Sequence, residues 1–235
     1  MSSKKVIVIT GASKGIGKAI AEKLASKKFD VVIFGRNKKR LALLKSKLEL
    51  LNSNTLSFSG DVADEKFVQR SITKVIKHYG RIDGVINNAG VAIFETFIDS
   101  NLEQLKTQID ANLIGVYNFC KASVPKMIEQ KSGTIINIVS TAGKFGFAYG
   151  TTYAATKHAV IGFSKSLLLE VRKHNVKVVT VSPGSVETDM IVDSPIHKDV
   201  ANYLQPKDVA DVILTILKLP SRAMIGDIDI RPTNP

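Results

Sequence analysis

The stretch Lys5 to Gly17, KVIVITGASKGIG, constrains the fold more than any other part of this chain. Val6, Ile7, Val8, Ile9 and Thr10 form an apolar, β-rich run that reads as a strand buried on both faces, and Gly11, Gly15 and Gly17 then open a helical pattern. Gly11 lets the chain turn sharply at the strand's end, Gly15 lets backbone approach a ligand closely, and Gly17 lets the new helix pack tightly on the strand. The unpaired N–H groups of that helix's first turn carry the positive end of its dipole, so the turn suits a pyrophosphate. An ordinary strand-to-helix turn is the plainer reading, and only the surrounding sequence decides between them.

That surrounding sequence alternates. Apolar runs Val6 to Thr10, Val31 to Gly35, Thr55 to Ser59, Gly84 to Asn87, Thr134 to Ser140, Lys177 to Ser182 and Asp227 to Ile230 are separated by helical patterns. Such alternation predicts an α/β fold: one doubly wound domain over residues 1–235, its sheet of about seven mostly parallel strands covered by helices on both faces. A length of 235 residues with 44% hydrophobic side chains suffices for one full core. No apolar run is long enough to cross a membrane, and the start is too short for a secretory leader, so the expected location is the cytoplasm, with no membrane partner.

Cys120 is the sole cysteine and lies in an apolar helical pattern, which suits a small buried hydrophobe better than a reactive thiol. The charge of +12 comes from lysines scattered through helices without interleaved aromatics, so it reads as solvated surface, with no nucleic-acid partner expected. No metal site is expected.

The strand ends carry the chemistry, because ligands of such sheets sit at the carboxyl edge. After the second strand come Gly35 and Arg36 with no acidic residue, and Arg36, helped by Lys14, offers donors suited to a ribose 2′-phosphate. This points to NADP(H) over NAD(H), the alternative being two exposed charges in a basic chain. The third strand ends before Asp61 and Val62, and the fourth before Asn88, Ala89 and Gly90. Asp61 alone also fits a helix cap. A helical stretch from Leu102 to Gln130 carries the stripe Leu102, Leu105, Ile109 and Leu113, with Asn112 beside it and Pro125 expected to kink or break its end.

From Thr134 the chain reads TIINIVSTAG, delivering Ser140 at a strand end, and Tyr153 and Lys157 follow four residues apart, on one face of a helix. A lysine ammonium one turn away, with an oxidised nicotinamide, lowers the phenol's pKa from about 10 toward neutrality. Tyr153 then exchanges a proton with a carbonyl or alcohol oxygen that Ser140 holds in line.

TGASKGIG, Asn87 to Gly90, Asn112, Ser140, Tyr153, Lys157 and the segment Pro183-Gly184-Ser185-Val186-Glu187-Thr188 match in order the motifs of the short-chain dehydrogenase/reductase family, which the chain resembles over nearly its whole length. The resemblance implies Tyr153 as acid/base, Lys157 also on the nicotinamide ribose, Ser140 orienting substrate and Asn112 supporting a water relay. For the cofactor it implies a binding loop of Gly11, Ser13, Lys14, Gly15, Ile16 and Gly17, with Ile16 at the pyrophosphate, and Asp61 with Val62 at the adenine. Asn88, Ala89 and Gly90 would then lie beside the cofactor, Pro183 and Gly184 would also contact it, and Val186 backbone and the Thr188 hydroxyl would bind the carboxamide. It implies a substrate lid at about 188–206 and a homodimer or homotetramer built on the helix of Tyr153 and the long helix before it.

The implied activity is NADP(H)-dependent oxidation or reduction of a small-molecule alcohol or carbonyl substrate. A 3-oxoacyl carrier-protein reductase, with acyl carrier protein or a CoA thioester as partner, is the alternative, weakened by the absence of a Val-Asp-Gly-Gly type ending in MIGDIDIRPTNP. A non-catalytic NADPH-binding regulatory module is the third reading.

Overall fold

The protein is described by a computed structural model covering residues 4–51, 53–192, 194, 196 and 203–233. Seven strands, β1 (Val6–Ile9), β2 (Asp30–Gly35), β3 (Thr55–Ser59), β4 (Gly84–Asn87), β5 (Gly133–Ile138), β6 (Val176–Pro183) and β7 (Asp227–Ile230), form one parallel sheet ordered β3-β2-β1-β4-β5-β6-β7. Between them run α1 (Gly15–Ser26), α2 (Lys38–Leu50), α3 (Glu65–Tyr79), α4 (Leu102–Ile109), α5 (Gly115–Gln130), α6 (Thr151–Val171), the short α7 (Asp189–Val192) and α8 (Pro206–Lys218). No described helix is long and apolar enough to cross a membrane.

The two-residue period of a strand divides the core. Ile7 and Ile9 of β1 pack with Ile20 and Leu24 of α1 and Ile213 of α8, while Val6 and Val8 face Val68 and Ile72 of α3 and Phe119 of α5. Helices therefore cover both faces. The strand order reverses direction beside β1, whose neighbours are β2 and β4, so the loops leaving β1 and β4 part and leave a crevice at the carboxyl edge.

Several expectations need correction. β5 ends at Ile138, two residues before Ser140, because Ser140 turns to cap a 3₁₀ turn over Thr141–Gly143 through a bond accepted from the Ala142 N–H at 3.1 Å. The cap before α3 is Asp64, which accepts from Phe67 N at 2.9 Å; Asp61 instead closes a tight turn by accepting from Ala63 N.

The expected continuous helix over Leu102–Gln130 is interrupted by a π-helical turn, Asp110–Ile114, and runs on through Pro125 without breaking. Its stripe is not the buried face: Leu102 is exposed and Leu105, Ile109 and Leu113 are half-buried, whereas Gln108 and Asn112 are buried. These two polar side chains are held because they satisfy backbone. Gln108 Oε1 accepts from Ile93 N, and Asn112 both accepts from Val91 N at 2.8 Å and donates to Val91 O at 2.9 Å.

Candidate active site

The glycine turn is fixed from three sides. Gly11 has φ +66°, and a Cβ there would stand 2.8 Å from Ala89 Cα; at Gly17 a Cβ would stand 2.5 Å from Gly11 O. Thr10, just past the end of β1, accepts through its hydroxyl from Asn88 N and Ala89 N at 2.9 Å each, and Asn88 donates its amide to Thr10 O at 3.0 Å. The turn and the fourth strand's end thus form one rigid ledge. Above it the N-terminus of α1 has no side-chain cap and no acidic residue in its first turn, leaving its donors for an anion.

A cavity of about 590 Å³ opens along this ledge. Gly11, Ser13, Lys14, Gly15 and Ile16 line its middle, Arg36, Asp61 and Val62 one end, and Asn88, Ala89, Gly90, Tyr153, Lys157 and Thr188 the other. Gly17 lies beneath the floor, buried. A second cavity of about 340 Å³ takes in Ser140, Pro183, Gly184 and Val186. Ile16, Ile138, Val139, Tyr153, Thr188 and Met190 line both, so the two cavities share a wall. Asn112 lines neither: its amide also donates to Thr156 Oγ1 at 3.0 Å, and a Cβ on Gly90 would lie 2.9 Å from its Oδ1 and 3.7 Å from Lys157 Nζ, which places it directly behind that lysine.

Sequence reasoning missed three groups at these cavities. Arg40 lines the larger one beside Arg36, set there because the Asn37 side chain caps α2 by accepting from Arg40 N at 2.9 Å. Phe94, Phe145 and Phe147, and Arg231 beyond β7, line the smaller one. Arg40 stood in a run of cations, and nothing in the sequence distinguished it from Lys38 or Lys39.

Tyr153 and Lys157 are 8% and 7% exposed, one turn apart on α6. Lys157 Nζ lies 5.6 Å from the Tyr153 ring centroid and donates to Ile138 O at 3.2 Å. The expected lowering of the phenol is not what the protein alone produces. Burial pushes Tyr153 up to about 12, with a hydrogen bond from Ser140 opposing, and burial brings Lys157 down to about 8. Burial strips hydration from both groups, and so disfavours the charged form of each. Cys120, as expected, is a buried thiol pushed up to about 12 by desolvation, with Asn87 donating to its sulfur.

Of the lid expected over 188–206, residues 193, 195 and 197–202 lie outside the described residues. The rest is tied down at both ends. Lys14 of the glycine turn pairs with Asp189 at 2.7 Å, and Glu187 N donates to Leu204 O at 2.8 Å.

The family described as short chain dehydrogenase matches residues 5–198. An uncharacterized oxidoreductase of Staphylococcus epidermidis is 35% identical over 229 residues, 97% of each chain. Carbonyl reductase family member 4 of Xenopus laevis is 34% identical over 223 residues, 92% of each. Among solved structures, an alcohol dehydrogenase of the archaeon Thermococcus sibiricus complexed with 5-hydroxy-NADP superposes with a TM-score of 0.91 at 28% identity, covering 98% of this chain and 97% of its own. Other similar structures hold NADP or NADPH.

Proposed function

The chain belongs to the short chain dehydrogenase family, and from that membership we propose that it is an NADP(H)-dependent oxidoreductase interconverting a ketone or aldehyde with its alcohol. The observation that carries this reading is Tyr153 on the wall common to both cavities, hydrogen-bonded to Ser140 and with Lys157 one turn along α6.

The larger cavity fits a dinucleotide. Backbone leaves no room for a Cβ at Gly11 or Gly17, the helix end is uncapped, and Arg36 and Arg40 set two cations side by side on the lining where a 2′-phosphate needs them, with Lys14 nearby in the glycine turn. Gly11, Ser13, Gly15 and Ile16 would hold the pyrophosphate, Asp61 and Val62 the adenine, and Val186 and Thr188 the carboxamide, with Pro183 and Gly184 shaping that loop. Asn88, Ala89 and Gly90 would line its flank, while Gly17 keeps α1 close to the turn. When bound, the nicotinamide supplies or takes up the hydride.

The protein's own groups manage the proton. Tyr153 keeps its hydroxyl proton at neutral pH and offers it to a carbonyl oxygen in the smaller cavity, while Ser140 donates a hydrogen bond to that oxygen as charge develops. Lys157, with a pKa of about 8, is mostly positive at neutrality and favours the phenolate left behind. Asn112, bound on both polar atoms, holds the π-helical turn behind Lys157 and supports the route by which Tyr153 regains its proton. The lone buried Cys120 suits a reducing compartment, and we place the protein in the cytoplasm.

The test is a panel of ketones, aldehydes, secondary alcohols and acyl thioesters, followed by absorbance of the reduced cofactor. NADPH is expected to bind at least about tenfold tighter than NADH, and Arg36→Leu to bring the two within about threefold, as loss of a phosphate-binding guanidinium should. No turnover on any member, or tighter binding of NADH, defeats the proposal.

The assembly proposed is a dimer or tetramer. Ala155, Ala159, Gly162 and Leu169 form an exposed face of α6, and the space beside a Cβ on Gly162 is open, so a second helix can approach closely there. Sedimentation at micromolar concentration is expected to give a dimer or larger; monomer alone would refute it.

A further inference from the structure

Resting on the oxidoreductase reading above, we propose that Arg231 selects substrates for this site: carbonyl compounds with an aryl or similarly bulky apolar group near the reacting carbon and a carboxylate at the far end.

The smaller cavity is apolar on most sides. Phe94 stands edge-on to Tyr153 with ring centroids 5.6 Å apart and 6.0 Å from Phe147, so an aromatic surface runs outward from the phenol. Phe145, Met190 and Ile191 continue it. Among the described residues, Arg231 is the only charged side chain lining this cavity.

Arg231 is held at the rim by backbone. Gly184 N donates to Ile230 O at 2.8 Å, and a Cβ on Gly184 would touch Arg231 Cα at 3.7 Å and Pro232 Cδ at 3.3 Å, so the residues after β7 lie directly on the loop that lines the cavity. The guanidinium then sits 5.3 Å from the Phe145 ring centroid.

Its ionic partner is shared. Asp229 lies 3.3 Å from Arg231 Nη2, but its other oxygen accepts from Lys144 at 2.5 Å, and Lys144 also holds Asp227 at 2.7 Å. Lys144 is thus the principal counterion of Asp229. The Arg231 side chain, 51% exposed, keeps most of its planar fork of donors for an incoming carboxylate.

The test uses purified full-length protein with NADPH and two matched ketones, 3-benzoylpropionate and its methyl ester. The acid is expected to exceed the ester in kcat/KM by about tenfold, mostly through KM, the size of one charge-assisted contact at a half-open site. Arg231→Met should reduce that advantage to within about twofold, and Arg231→Lys should retain part of it. In calorimetry, 4-phenylbutyrate, which has no ketone, should bind the wild type about tenfold tighter than its methyl ester and lose that margin in Arg231→Met.

Equal treatment of acid and ester by the wild type, or a preference that survives Arg231→Met, overturns the proposal. Tighter binding of 3-phenylpropyl phosphate than of 4-phenylbutyrate by tenfold or more would overturn the choice of carboxylate, since the site would then be built for phosphate. The two readings fail separately. Turnover of both ketones without an acid preference removes this inference alone; binding of 4-phenylbutyrate through Arg231 with no turnover of any carbonyl removes the oxidoreductase reading alone.

Discussion

Tyr153→Phe is expected to lower kcat by about a thousandfold or more while leaving NADPH affinity within about twofold, because a positioned acid contributes about 10²- to 10⁴-fold. The variant removes one oxygen and little else. The ring keeps its edge contact with Phe94 and its place beside Lys157, so the wall between the cavities stays in position. What disappears is the hydroxyl that Tyr153 presents at the wall common to the two cavities, beside Ser140. Steady-state turnover and fluorescence titration of NADPH separate the two effects. Wild-type turnover by the phenylalanine variant would strip Tyr153 of its proposed role.

Lys157→Met should move activity and stability in opposite directions. Turnover is expected to fall about a hundredfold, since the cation beside the phenolate is gone. Stability at pH 7 should rise, by up to about 3 kcal/mol at roughly 1.4 kcal/mol per unit of pKa. Burial holds the folded lysine's pKa at about 8, against an ordinary 10.5. Below pH 8 both folded and unfolded chains carry the proton, and the folded state bears the full desolvation cost.

From pH 8 to 10.5 the unfolded chain binds the proton more often than the folded one, so this lysine makes the wild type more stable as pH rises. Above pH 9 the raised Cys120 thiol pulls the other way, because unfolding then releases its proton. The measurement is therefore the difference in denaturant midpoint between wild type and variant across pH 7 to 10, in which Cys120 cancels. A difference that does not narrow with pH would mean that Lys157 is hydrated in the folded state.

The sheet was legible because its inner strands β1, β2, β4, β5 and β6 are runs rich in valine and isoleucine and mostly buried, while the edge strands β3 (TLSFS) and β7 (DIDI) show as short β-rich alternations: β3, β4 and β7 fall where the sequence places them, and β1, β2, β5 and β6 within two residues at either end. The pairing of Tyr153 with Lys157 was legible for a related reason, since a four-residue step fixes a shared helix face. Gln108 and Asn112 were not. Reading a stripe assumes an unbroken period of 3.6 residues, which the π-helical turn disrupts, and their partners at Val91 and Ile93 belong to an irregular loop with no pattern of its own. The raised phenol was missed because charge spacing is visible in a sequence and the depth of burial is not. Arg231 was overlooked for distance: it comes to the cavity only through β7 docking on β6, far along the chain from every other lining residue.

The wall common to the two cavities also limits how descendants of this chain can diverge. A substitution at Ile16, Val139, Thr188 or Met190 disturbs both chambers together, whereas Phe94, Phe145, Phe147 and Arg231 border only one. Inherited variation that alters what is processed, and leaves the source of reducing power untouched, has its freest ground at those four outer positions.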